Sequence, residues 1–155
     1  MLILGAGAVG LLACSLARAS GFTSVVAVDI EQAKLDFAAQ MGWASGTYTL
    51  PRGPRVSGFD AIEVAKSGWA GLQKSDAVQS VEGLEDGFDA VFECTGVESC
   101  MQLAVMVSVA DTKRLVTTLC SPILMNRNAL SDGRFRLMTC LSRPPKSSLT
   151  LSSHR

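Results

Sequence analysis

The stretch that decides the fold of this chain is Gly5-Ala6-Gly7-Ala8-Val9-Gly10. It follows the apolar residues Leu2-Ile3-Leu4 and leads into a helical pattern, so a strand, a tight turn and a helix are predicted in succession. With this spacing the first glycine makes the sharp turn, the second lets a pyrophosphate approach the backbone, and the third lets helix and strand pack closely. The anion would lie at the helix N-terminus, where free N–H groups and the helix dipole favour it. The turn therefore predicts a dinucleotide-binding site.

Asp29 supports this interpretation. It closes the β-branched run Val25-Val26-Ala27-Val28, which is typical of a strand buried on both faces. It also lies about 20 residues beyond the last glycine of the turn, where a ribose-binding acid is expected. Its carboxylate would accept hydrogen bonds from the adenosine ribose and repel a 2′-phosphate, which predicts NAD rather than NADP. A role as N-cap of a helix starting at Glu31 is compatible with ribose binding.

The apolar opening has a second interpretation, as an export signal, because residues 11–14 resemble a lipoprotein cleavage box. A signal needs a positively charged first region, whereas no Lys or Arg precedes Arg18. The helical spacing i, i+3, i+4, i+7, i+8 instead predicts a helix with one buried face, made of Val9, Leu12, Ala13, Leu16 and Ala17. No stretch approaches the roughly 18 apolar residues of a membrane span. We expect a cytoplasmic protein with no membrane partner.

The composition predicts one globular domain and indicates nothing more specific. The chain has 155 residues, of which 48% are hydrophobic, an ordinary share for a globular protein. The five cysteines are an odd number without a C-x-x-C pair, which favours reduced, mostly buried thiols over a disulfide framework or a zinc knuckle. They are Cys14, Cys94, Cys100, Cys120 and Cys140.

Charge is unevenly distributed although the formal net charge is zero. Residues 111–155 hold 8 of the 14 basic and 2 of the 14 acidic side chains, interleaved with Ser and Pro and without aromatic stacking partners. We interpret this as a solvated segment and predict no nucleic-acid partner. Residues 142–155 are expected to be a disordered tail behind a domain spanning 1–141.

Strand-like and helical patterns alternate along the chain, the order that produces parallel βαβ units. After the first strand, helix and second strand we predict a helix over 31–41 and strands over 47–50, 88–96 and 114–118, with a weaker one over 135–141. A helix is predicted over 60–67, with Gly68, Gly71 and Gly83 breaking up the segment after it, and another over 97–109. The expected fold is α/β, a doubly wound parallel (Rossmann) sheet of about five strands, which leaves open that the sheet is incomplete at both ends.

Taken together, these motifs resemble the coenzyme-binding half of a zinc-type alcohol or polyol dehydrogenase of the medium-chain dehydrogenase/reductase superfamily. Sorbitol and xylitol dehydrogenases are the nearest likeness, and the resemblance covers about residues 1–122. It rests on the glycine turn followed by Leu11-Leu12, Asp29 with Lys34 five residues later, Met41-Gly42, and Phe88-Asp89 through Glu93-Cys94-Thr95-Gly96.

The resemblance implies a role for each matching position. The pyrophosphate would be held by Gly5, Gly7, Ala8, Val9 and Gly10. Asp29 and Lys34 would bind the adenosine ribose, although Lys34 also fits a solvated helix lysine. Thr95 and Gly96 would lie near the nicotinamide, or form an unremarkable strand-to-helix turn.

The chain also departs from the family. Thr118-Leu119-Cys120 stands where members usually carry a pair of glycines. Members use a zinc ion held by Cys, His and acidic side chains of a separate domain, whereas the only histidine here is His154 in the predicted tail. We therefore expect a fragment that binds NAD, has no zinc ligands, and does not turn over a small alcohol or polyol alone. The alternatives are a non-catalytic nucleotide-binding remnant or an association module, with exposed sheet edges suited to a homo-oligomer.

Two other enzyme classes fit less well. A short-chain dehydrogenase needs a Tyr with Lys four residues later, but Tyr48, the only tyrosine, is followed there by Arg52. A methyltransferase that binds S-adenosylmethionine usually begins its first turn with an acid, where this chain has Leu4.

Overall fold

The computed structural model describes residues 1–81, 87–108 and the strand 114–117. In these ranges strands and helices alternate along the chain. The strands are β1 (Leu2–Leu4), β2 (Val26–Asp29), β3 (Gly46–Thr49), β4 (Ala90–Glu93) and β5 (Arg114–Thr117). The helices are α1 (Ala8–Ala19), α2 (Gln32–Gln40), α3 (Phe59–Gln73), α4 (Asp76–Gln79) and α5 (Glu98–Val107).

The strands form one parallel sheet in the order β3-β2-β1-β4-β5. The chain winds outward from β1 in one direction through β2 and β3, then returns to the other side of β1 for β4 and β5. In register, Leu4 lies beside Val28 on one side and Glu93 on the other. The predicted doubly wound fold of about five strands is confirmed, and its switch point is at the carboxyl ends of β1 and β4.

The sheet is buried on both faces, as expected for parallel strands covered by crossover helices. Leu2 and Leu4 of β1 pack into a core that contains apolar side chains of α3, α4 and α5. Ile3, between them, packs into a second core with side chains of α1 and α2. This alternation follows from the two-residue period of a strand.

The predicted buried side of α1 is right at Ala17 and wrong at its large residues. Val9, Leu12 and Leu16 are 53%, 62% and 66% exposed, whereas Ala17 is buried together with Gly10 and Cys14. Ala13 is half-buried. Helical spacing alone cannot distinguish a face of large apolar side chains from a face of small ones. Here the helix lies so close to the strands that only the small residues fit between them.

The predicted break at Gly68 and Gly71 is also wrong, because α3 continues through both glycines to Gln73. A Cβ atom on Gly71 would lie 2.1 Å from Tyr48 Oη, and one on Gly68 would lie 3.3 Å from Leu50 Cδ2. These glycines therefore permit a close contact between α3 and residues at the end of β3, and this gain outweighs their low helix propensity.

Other predictions fall outside the described residues. They are the boundary between 1–141 and 142–155, the strand 135–141, Gly83, Thr118-Leu119-Cys120, Cys140 and His154. Among the helices of the described ranges, none combines the length and apolar character needed to cross a bilayer.

Candidate functional site

The glycine turn joins β1 to α1 and brings the start of the helix against the end of the strand. Gly5 has a φ of 95°, which only glycine adopts without strain, and its N–H donates to Val28 O at 2.7 Å. A Cβ atom on Gly10 would lie 1.7 Å from Gly5 O. The two glycines thus have separate local functions, since Gly5 makes the bend and Gly10 allows the close approach.

The N-terminus of α1 is open to an anion. Its N-cap is Gly7, no side chain caps it, and no acidic residue lies in its first turn. A Cβ atom on Gly7 would meet nothing within 4 Å, and Gly7, Ala8 and Val9 are exposed. Backbone N–H groups and the positive end of the helix dipole are therefore available to a phosphate group.

Asp29 lies at the end of β2 and ties this strand to the glycine turn. Its Oδ2 accepts a hydrogen bond from Ala6 N at 2.7 Å, and its Oδ1 accepts one from Glu31 N at 2.9 Å. The carboxylate is not an N-cap of α2, because that position belongs to Glu31. Each carboxylate oxygen has two acceptor sites, so both can also accept a hydroxyl group.

Lys34 is placed beside this carboxylate. Its Nζ lies 3.9 Å from Asp29 Oδ1 and 3.2 Å from Glu31 Oε2, and a guanidinium nitrogen of Arg52 lies 3.9 Å from Glu31 Oε1. The lysine side chain is 40% exposed. Exposed pairs of this kind contribute about 0–1 kcal/mol to stability, so the cluster does little for the fold but sets the charge around Asp29.

Thr95 and Gly96 form the turn between β4 and α5, and a neighbouring acid organises them. Glu93 is 0% exposed. Its Oε1 accepts hydrogen bonds from Thr95 N at 2.6 Å and from the Thr95 hydroxyl, and Gly96 N lies 3.2 Å from each of its carboxylate oxygens. Sequence reasoning missed this role, although an acid inside an otherwise apolar strand run was the available signal.

The β4–α5 turn contacts the glycine turn directly. Cys94 N donates to Leu4 O at 2.8 Å, and a Cβ atom on Gly5 would lie 2.8 Å from Thr95 Cγ2. The predicted site residues therefore gather at the carboxyl edge of the sheet, on the turns after β1, β2 and β4 and the first turn of α2. They are Gly5, Gly7, Ala8, Val9, Gly10, Asp29, Lys34, Thr95 and Gly96.

Two thiols near these turns are held protonated. Burial, together with the nearby Cys94, raises the pKa of Cys14 to about 11, against a smaller opposite effect of its own backbone. Burial also raises the pKa of Cys100, helped by the charges of Glu93 and Asp29 and opposed by a hydrogen bond with Thr95. Because the thiolate is the reactive form of cysteine, neither side chain is suited to act as a nucleophile at neutral pH.

The Cys14 thiol predicts a loss of stability in alkaline solution. Below a pH of about 9, the pKa of this thiol in the unfolded chain, Cys14 is protonated in both the folded and the unfolded protein, and its contribution to stability is fully present. Between about pH 9 and about pH 11 the thiol loses its proton in the unfolded chain only. The free energy of unfolding should therefore fall as pH rises through this window, by at most about 1.4 kcal/mol per pH unit. Urea unfolding from pH 8 to 11 should show a smaller slope for Cys14→Ala than for the wild type. Parallel curves would contradict this assignment.

The described residues do not fit a zinc site, since they contain no group of three or more His, Cys, Asp or Glu side chains that could hold a metal ion. In the part of the chain that the structure describes, Cys14 and Cys100 are free thiols. What the edge of the sheet provides is an uncapped helix N-terminus, a carboxylate and an ordered turn.

A family model described as zinc-binding dehydrogenase matches residues 8–116. D-xylulose reductase A of Aspergillus niger is 31% identical over 107 residues, which cover 69% of this chain and 25% of the reductase. The chain thus spans about a quarter of the length of the curated relatives it matches.

Solved structures show the same fold. The zinc-dependent alcohol dehydrogenase 2 of Streptococcus pneumonia has a TM-score of 0.58 at 18% identity, covering 90% of this chain and 35% of that protein. The alcohol dehydrogenase of Thermus sp. ATN1 has a TM-score of 0.54 at 22% identity, covering 89% of this chain and 36% of that protein.

Proposed function

The chain belongs to the zinc-binding dehydrogenase family, and from that premise we propose that it binds NAD at the carboxyl edge of its sheet. The observation that carries the proposal is one hydrogen bond, from Ala6 N to Asp29 Oδ2 at 2.7 Å. It joins an open helix N-terminus, suited to phosphate, to a carboxylate suited to ribose hydroxyls. A dinucleotide presents these two groups next to each other.

The pyrophosphate would lie over the start of α1. Gly7 has no Cβ atom to keep it away, and no side chain competes for the N–H groups of the first turn. Ala8 and Val9 then contribute backbone rather than side-chain atoms, and Gly5 and Gly10 act by shaping the turn.

The adenosine ribose would bind Asp29, with Lys34 at its side. A 2′-phosphate placed there would meet the Asp29 carboxylate, and like charges in direct contact cost several kcal/mol. Lys34 does not reverse this preference, because it is already paired with Glu31 at 3.2 Å. NAD is therefore the cofactor of this site rather than NADP.

The activity of the longer protein would be NAD-dependent oxidation of a secondary alcohol or polyol. Support comes from the relatives named D-xylulose reductase, which are about four times the length of the part they share with this chain. The nicotinamide of NAD supplies a hydride acceptor, and this chain's residues bind and orient it. The described residues do not supply zinc ligands, so we propose that the chain by itself is a cofactor-binding unit and not a complete catalyst.

Two further features belong to the same proposal. The free thiols Cys14 and Cys100 suit the reducing conditions of the cytoplasm, where we place the protein. Within the described part of the sheet β3 and β5 are edge strands, and pairing of such edges would give a homo-oligomer.

Isothermal titration of the purified 155-residue chain tests the proposal. We expect NAD to bind at least about tenfold more tightly than NADP, which corresponds to about 1.4 kcal/mol. S-adenosylmethionine should not bind, and the same sample supplied with zinc and sorbitol should form no NADH. Preferential binding of S-adenosylmethionine would assign the chain to the methyltransferase alternative, and tighter binding of NADP would overturn the role of Asp29.

A further inference from the structure

We propose that Glu93 is a positioning residue for the nicotinamide half of the bound cofactor, acting through the turn formed by Thr95 and Gly96. The proposal rests on the NAD binding proposed above. It assigns a function to a side chain that would not touch the cofactor itself.

The side-chain hydrogen bonds that Glu93 makes with described residues are all directed at this turn. The carboxylate accepts from the backbone N–H of Thr95, the backbone N–H of Gly96 and the Thr95 hydroxyl. The Thr95 Oγ1 in turn accepts from Val97 N at 3.0 Å. One side chain thereby fixes three consecutive residues between β4 and α5.

Burial makes this arrangement costly for a structural purpose alone. Glu93 is 0% exposed, and no ion pair joins it to a basic side chain in the described ranges. A buried carboxylate is stable only when hydrogen bonds compensate for its lost hydration, and an apolar side chain would serve a strand core better. Its hydrogen bonds to the turn are therefore what this carboxylate contributes at a buried strand position.

The position of the β4–α5 turn indicates which half of the cofactor it would contact. Glu93 lies beside Leu4 in register, and Thr95 Cγ2 lies within contact distance of Gly5. The turn is thus on the β4 side of the glycine turn, whereas Asp29 is on the β2 side. A dinucleotide whose adenosine ribose is at Asp29 and whose pyrophosphate is at α1 must extend its other half toward Thr95 and Gly96.

The turns that precede α1 and α5 differ in a way that fits the proposal. Both helices begin without a side-chain cap, and ahead of α1 the exposed Gly7 has no Cβ atom to obstruct the pyrophosphate. Ahead of α5, the N–H groups of Thr95, Gly96 and Val97 are all occupied, directly by Glu93 or through Thr95. The phosphates would therefore bind at α1. The β4–α5 turn has no N–H group of these three residues left for a phosphate, and it would contact the nicotinamide half instead.

The experiment compares NAD with ADP-ribose, which shares every part of NAD except the nicotinamide. Titrations of the full chain are made with both ligands for the wild type and for Glu93→Gln, which keeps the shape but removes the charge. NAD is expected to bind the wild type more tightly than ADP-ribose, and Glu93→Gln should reduce this excess about tenfold while changing ADP-ribose affinity less than about twofold. A loss of the fold alone would weaken both ligands equally.

A matched control and a second variant complete the test. Glu98→Gln removes a carboxylate at the start of α5 that accepts a hydrogen bond from Gly58 N in an exposed position, and it should leave both affinities unchanged. If Glu93→Gln does not fold, as judged by its thermal unfolding, Thr95→Val tests the same hydrogen-bond chain and should show the same selective loss.

Each outcome decides one of the two proposals. A wild type that binds neither ligand refutes the proposed NAD site itself. A wild type that binds ADP-ribose as tightly as NAD, or variants in which both affinities fall together or neither falls, overturns the role of Glu93 while leaving the NAD site in place.

Discussion

Gly10→Ala is expected to disrupt the glycine turn and to abolish NAD binding. The added Cβ atom would lie 1.7 Å from Gly5 O and 2.8 Å from Gly5 C, so it meets backbone and not the end of a flexible side chain. Relief requires α1 to move away from β1, which separates small buried residues of the helix from the sheet. Overpacking of this kind costs about 3 kcal/mol or more, which urea unfolding would measure directly.

Gly7→Ala is the matched control, because the same one-carbon change is made three residues earlier with a different physical result. A Cβ atom there meets nothing within 4 Å, and the φ of −73° suits alanine. Stability should therefore stay the same or rise by up to about 1 kcal/mol, as a less flexible unfolded chain predicts. NAD affinity should nevertheless fall at least about tenfold, because the methyl group would occupy the space that we propose for the pyrophosphate.

Together, the Gly10→Ala and Gly7→Ala variants distinguish residues that the turn needs to fold from residues that it needs to bind NAD. A folded Gly7→Ala protein that does not bind NAD would show that the open face of the turn is the binding surface. A Gly7→Ala protein with wild-type affinity would place the phosphates elsewhere, whatever Gly10→Ala does. A Gly10→Ala protein of unchanged stability would show that α1 does not lie against the end of β1.

The turn could be predicted from sequence because its requirements are local. A bend, an open backbone and a close approach each need glycine at a fixed position, so Gly5, Gly7 and Gly10 indicate the structure without knowledge of the rest of the chain. Asp29 could be predicted for a similar reason. An acid at the end of the second strand must lie beside the end of the first when the strands are parallel neighbours.

The errors arose where packing distance decides the outcome. Val9, Leu12 and Leu16 have the spacing of a buried face, but the close approach that Gly10 permits leaves room at the sheet only for small residues. Cys14 lies there with Ala17, which was the correctly predicted member of that face. At Gly68 and Gly71 the same principle holds for α3, where contacts with other elements override helix propensity.

Glu93 was missed for a related reason. Sequence placed it correctly in a strand, but a strand acid can face water or the interior. Which of the two occurs depends on β4 lying between β1 and β5, and this order is known only once the sheet is assembled. The residues it binds, Thr95 and Gly96, were predicted from family resemblance without the acid that organises them.

Asp29→Asn is expected to weaken NAD binding by about 100-fold and to destabilise the fold by about 1–3 kcal/mol. Both partners of the carboxylate, Ala6 N and Glu31 N, are donors, at 2.7 and 2.9 Å. An amide has only one acceptor oxygen, so its NH2 group must face one of these donors and leave it unsatisfied. Titration calorimetry and urea unfolding measure the two effects. Asp36→Asn on the exposed face of α2 removes an equal charge from an acid that accepts a hydrogen bond from the Gln32 side chain, and it should change neither quantity.

The ratio of NAD to NADP affinity distinguishes the two functions that Asp29 combines. Its hydrogen bond to Ala6 N holds the glycine turn in place, and loss of that anchor weakens both cofactors by the same factor, because both carry the same pyrophosphate. Repulsion of a 2′-phosphate, in contrast, affects NADP alone. In Asp29→Asn the preference for NAD should therefore shrink at least about tenfold even as both affinities fall. If both affinities fall and their ratio stays at the wild-type value, Asp29 is an anchor of the turn and the ribose lies elsewhere.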